Sequence, residues 1–199
     1  MKLCCWLLWA ALSLPAETIT YWIQPCSAQI AHETTCEAGD ATLAQWALAA
    51  WQRAAGSGLV FTSAEESHAR IRIYWASGRL QLYGETRGIL VDGKPGAAIY
   101  VNPDVTQLGE EISAAASNDR LLRDSIVYLT CLHESGHALG LPHTAKFEDI
   151  MYSFGYGGDI VEYFERYRRK LSSREDIRGH SGISASDRER LVELLKKSA

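Results

Sequence analysis

Apolar and polar positions change period as the chain is read from one end to the other. Residues 18-TITYWI-23 alternate and are rich in β-branched and aromatic types, the pattern of a strand with one buried face. The stretch 40-DATLAQWALAAWQRAAG-56 switches to helical spacing: Leu43, Trp46, Ala47, Ala50 and Trp51 share a face, Asp40 or Thr42 can cap it, and Gly56 stops it. Alternation then returns. Segments 59-LVFT-62, 70-RIRIYWA-76, 81-QLYGETRGIL-90 and 97-AAIYVN-102 read as strands parted by Gly, Ser and Pro-Gly turns. Residues 103–118 read as a loop that can carry a short helical turn. Helical spacing resumes from about Asp119 to Leu139, with Leu122, Ile126, Leu129, Leu132 and Leu139 on the core side. Residues 140–158 read as irregular. A further helix is predicted over 159–171, with Asp159 and Glu162 forming a capping box, and a last one over 186–197, boxed by Ser186 and Glu189.

That order, a strand, a helix, several strands and then helices, predicts an α+β domain. Composition leaves the picture unchanged: 199 residues, 47% apolar and 22% charged, suit one folded domain with its own core. A formal charge of -4 with no basic stripe gives no reason to expect nucleic acid. The first residues do change it. Lys2 and the apolar run from Leu3 to Leu14, closed by Pro15-Ala16, read as a signal peptide over 1–16, leaving 17–199 as the mature domain. A retained anchor or a buried helix is the competing reading; the run is short for a bilayer span, and no other segment is apolar enough for one. The chain is therefore expected to be secreted, extracellular or periplasmic. Export favours a Cys26–Cys36 disulfide. Cys131 is left over, either a reactive thiol or, since free cysteines are often fully buried, a structural one.

The chemistry concentrates in 131-CLHESGHALGLPHTAKFEDIMY-152. Three of the six histidines fall within eleven residues. On a helix, His133 and His137 stand at i and i+4, so both imidazoles project from one face. Gly140 can turn the chain, and His143 can swing back as a third ligand. Neutral imidazoles suit Zn²⁺, and three protein ligands leave a position open, the mark of a catalytic site. Glu134 stands beside the ion, not on it. A chance match to H-E-x-x-H-x-x-G-x-x-H in a chain of this composition is on the order of 10⁻⁵.

The stretch from His133 to His143 resembles the zinc signature of the metzincin proteases. Met151, eight residues past His143 in Asp-Ile-Met-Tyr, is similar to the Met-turn of the matrixin branch, and Thr144 also suits that branch. The resemblance implies a twisted mixed sheet of about five strands, a long active-site helix carrying the zinc ligands and a C-terminal helix. It implies a zinc-dependent endopeptidase that hydrolyses peptide bonds with a zinc-activated water and Glu134 as general base, acting as a monomer on protein or peptide substrates. It also places an edge strand for substrate pairing at 97–102. The alternative is a catalytically silent zinc-fold protein that binds extended peptides.

Several positions depart from the family pattern. There is no recognisable propeptide or cysteine switch, and Cys131 lies inside the zinc helix. His68 stands without the partners of a second zinc site, and Lys146 replaces a usual Asp. Asp92 to Gly96 resembles a calcium-binding loop, though a plain turn accounts for it. Ser153 stands where other branches place a zinc-reaching tyrosine, so Tyr152 is expected at the substrate wall. Asp187 matches an Asp that can pair with a processed N-terminus; a helix-start Asp is the simpler reading.

Overall fold

In a computed structural model the described residues are 16–78 and 83–198. The leader read at 1–16 lies outside them except for Ala16. The elements are β1 (Glu17–Ile23), α1 (Ala28–Thr34), α2 (Asp40–Ala55), β2 (Leu59–Ser63), β3 (Ile71–Trp75), β4 (Gly84–Val91), β5 (Lys94–Val101), α3 (Glu110–Asn118), α4 (Arg120–Ala138), α5 (Ile160–Arg168) and α6 (Ala185–Ser198).

The sheet runs in the order β2-β1-β3-β5-β4, parallel throughout except for β4, which pairs antiparallel with β5. One face buries Ile19, Ile71, Ile73, Ile99 and Val101 against Leu43, Trp51 and Leu132 of α2 and α4. Each such side chain contributes about 1.5–3 kcal/mol by leaving water. Trp51 joins the two helices directly: it is fully buried, and its indole N–H donates to the Leu132 carbonyl at 2.8 Å. On the other face Trp22, Tyr74 and Tyr100 form a cross-strand aromatic row, with centroids 5.5 and 5.4 Å apart.

Three expectations are corrected. First, the edge strand is β4, not 97–102: β5 lies between β3 and β4. The two join through Asp92 and Gly93, both with positive φ (51° and 74°), the two-residue hairpin that suits a twisted antiparallel pair. Residues Asp92 to Gly96 are thus a tight turn and the start of β5. Second, 103–118 is not loop alone. It contains α3, which buries only Ile112 and Ala116, so its apolar stripe is too thin to announce a helix. Similarly, α1 sits inside the cysteine-bracketed loop, capped by Ser27 and clasped by the Cys26–Cys36 disulfide. Third, two caps are placed differently. Gly39 precedes α2, while Asp40 is fully buried and accepts a hydrogen bond from Arg123 at 2.7 Å. In α6 the reciprocal box is Ser184–Asp187, not Ser186–Glu189: Asp187 N–H donates to Ser184 Oγ at 2.9 Å and Ser184 N–H to Asp187 Oδ2 at 3.2 Å. Asp159 does cap α5, but Glu162 turns to Arg169.

Candidate metal centre

Helix α4 presents His133 and His137 one turn apart, then ends. Gly140 leaves the helix at φ +92°, a conformation that costs a side-chain-bearing residue dearly, and Leu141 N–H caps back to Gly136 O at 3.0 Å. The chain returns so that His143 faces the helix. The three Nε2 atoms converge at 3.1 Å (His133–His137), 3.0 Å (His137–His143) and 3.3 Å (His133–His143).

The proton positions decide what this cluster suits. His133 Nδ1 lies 2.7 Å from the Ile150 carbonyl, and His137 Nδ1 lies 2.8 Å from the Leu141 carbonyl. A carbonyl only accepts, so each Nδ1 carries the proton and each Nε2 offers a lone pair. Two lone pairs facing each other at 3.1 Å repel unless a cation stands between them. Four-coordinate zinc with Zn–N bonds of about 2.0–2.1 Å separates its nitrogens by about 3.3 Å, close to the spacing seen. Burial holds the His133 pKa down to about 4 and also lowers that of His137, so both imidazoles are neutral at pH 7 and ready to ligate. The donor set fits zinc, and among the described residues no other group of three potential ligands is gathered this closely.

Glu134 is only 6% exposed. Burial pushes its carboxyl up to about 7, opposed by a hydrogen bond from Thr86 Oγ1 to Oε2 at 2.6 Å. A nearby divalent cation favours the ionised carboxylate and so acts in the same direction as Thr86. Met151 is fully buried beneath α4. A Cβ on Gly136 would come within 2.3 Å of Met151 Sδ and 3.0 Å of Trp51 Cζ2, so the glycine between the two helical histidines makes room for the methionine. The Met151 turn is stitched to the His143 segment by Thr144 N–H to Met151 O at 2.8 Å and Ser153 N–H to Thr144 O at 3.1 Å.

Beside the histidines opens a cavity of about 230 Å³. His133, Glu134 and His143 border it, Leu129 and Thr130 lie one turn back along α4, and Tyr83, Tyr152, Phe154, Tyr163 and Phe164 supply aromatic walls. Tyr152 therefore stands at the cavity, its hydroxyl donating to the Gly157 carbonyl. Tyr163 links the wall to the centre: its hydroxyl is shared between Asp149 O at 3.2 Å and Ile150 O at 3.3 Å, the latter the carbonyl that holds His133. Asp187 is fully buried and already engaged. Its Oδ2 accepts from Ile150 N at 2.7 Å and from Ser184, and Arg190 covers Oδ1. The carboxylate ties α6 to the Met151 turn.

The signature residues all arrive at one place. Thr86, Gly84, Tyr163 and Phe164 also belong to it and were not among the candidates. They come from β4 and α5, far from the signature in sequence, and only the sheet order and the course of the 140–158 segment bring them near. Cys131 is fully buried on the core side of α4, and burial pushes its thiol well above the usual range.

Compared with known proteins, residues 13–178 match the family model described as matrixin. No curated protein matches the chain.

Proposed function

The chain belongs to the matrixin family, whose members are zinc-dependent peptidases, and on that premise we propose that it is an exported endopeptidase with a single open zinc site. His133, His137 and His143 would hold the ion, Glu134 would act as general base, and Met151 would form the floor. The observation that carries this reading is the convergence of three Nε2 atoms at 3.0–3.3 Å with the Glu134 carboxylate on the next helical position. When bound, zinc supplies a Lewis acid that polarises a carbonyl and lowers the pKa of water toward ~7.

The chain's own groups do the rest. Glu134 takes one proton from the attacking water as the oxygen bonds to the scissile carbonyl carbon. It returns that proton to the amide nitrogen as the C–N bond breaks, so one water is consumed and a carboxyl and an amine result. The exposed edge of β4 offers unpaired backbone groups to an extended peptide. The adjoining cavity selects a side chain. A dry cavity of about 150 Å³ holds benzene, so about 230 Å³ lined by Leu129, Phe154 and Phe164 admits a ring or a branched aliphatic group.

Export is supported by the Cys26–Cys36 disulfide, which persists in oxidising compartments. Removal of residues 1–16 would leave Glu17, the first residue of β1, as the new start. Among the described residues no helix is long and apolar enough to cross a membrane.

Digestion of a peptide library by the purified protein, with and without a zinc chelator, tests the proposal. Internal cleavage ahead of large apolar residues, abolished by chelator and restored by zinc, is the expected result. Saturable peptide binding with no cleavage by zinc-loaded protein would instead establish a silent binding protein.

A further inference from the structure

Glu134 is carried by α4 but held from β4. The Thr86 hydroxyl lies 2.6 Å from Glu134 Oε2 and 3.0 Å from the Glu134 backbone carbonyl. It has one proton, and the charged acceptor at the shorter distance takes it as the stronger bond. Two residues earlier on the same face of the strand is Gly84. A Cβ there would stand 2.5 Å from Glu134 Oε1 and 2.9 Å from Cγ. Thr86 therefore tethers one carboxylate oxygen, and the bare backbone at Gly84 leaves room for the other. A second cavity, lined by Thr86, Gly88, His137 and Ala138, lies on the other side of Glu134 from the first; Gly84, Glu134 and His143 border both, so that room opens where substrate would lie.

We infer that Thr86 is a positioning residue for the general base, and that Gly84 is the gap that lets it work. A Glu side chain has several rotamers, and a base that must accept a proton at one atom gains from having its other oxygen fixed. The anchor sits on the sheet's edge strand, beside α4. A peptide added to β4 is thus registered by the same strand that aims Glu134. This rests on the peptidase reading above.

The test compares Thr86→Val, which keeps the branched shape and removes the hydroxyl, with Thr86→Ser, which keeps the hydroxyl. At equal bound zinc, Thr86→Val is expected to lower kcat by about tenfold or more with KM within about twofold, and Thr86→Ser to recover most of the loss. Thr86→Ala serves in place of Val should Val not fold. The inference is overturned if Thr86→Val keeps normal kcat, if Ser is as impaired as Val, or if the loss falls on KM. A wild-type protein that binds zinc and cleaves nothing would overturn the peptidase reading itself, a different result from an active wild type indifferent to Thr86.

Discussion

The two walls of the cleft are held by different forces. On the α4 side, position is set by short polar contacts: His133 to Ile150 O, His137 to Leu141 O, Glu134 to Thr86. On the α5 side it is set by rings. Tyr163 meets Phe154, Phe147 and Phe164 edge to face at 5.2–5.5 Å and stacks on Tyr152 at 6.0 Å, and Arg166 lies over both Phe147 and Tyr163. Directional bonds fix single atoms, and packing fixes a shape. The first wall should therefore govern whether a bond is cut, and the second which bond.

Substitutions can break that division or sharpen it. Glu134→Gln should carry the largest effect, a loss of roughly 10²–10⁴ in turnover with fold and bound zinc retained, read by steady-state kinetics beside metal analysis. His143→Ala comes next. It removes one of the three proposed ligands, and competition with a chelator should show zinc affinity falling by more than the 10–100-fold that supporting residues typically cost. Phe164→Leu, on the other wall, should leave cleavage of peptides with small apolar side chains nearly intact. It should shift relative kcat/KM toward longer side chains by about tenfold. An equal loss for every peptide would mean that α5 acts on the chemistry after all. Gly136→Ala should destabilise by about 1–3 kcal/mol, because its Cβ meets the buried Met151 and Trp51; thermal or denaturant unfolding measures it. The smallest change concerns Cys131, whose burial and raised pKa leave almost no thiolate. Maleimide should label it only after unfolding.

The same division explains what the amino-acid order made legible. The three clustered histidines follow one another along a helix and its exit turn, so their spacing alone defines their geometry, and Gly140 and Met151 fall where the signature needs them. Helix α4, α2 and the strands have strong periods and could be read directly. Helix α3 could not, since its EEISAAASN stretch buries little. The edge position of β4 could not either, because strand order depends on long-range pairing and the nearest strand in sequence, β5, turned inward. Thr86 carries no local mark at all. Gly84 looked like any glycine in a strand, and only the 2.5 Å approach to Glu134 shows its use. Asp187 could be narrowed to a helix start, but its grip on Ile150 N lies 37 residues away in sequence.

The most direct test is turnover of a peptide with a large apolar residue, measured as zinc is returned to metal-free protein. No cleavage is expected without metal, and activity should rise in proportion to bound zinc, up to one ion per chain. Cleavage at full rate in the metal-free protein, or a fully loaded His133–His137–His143 site that cuts no peptide, would contradict it.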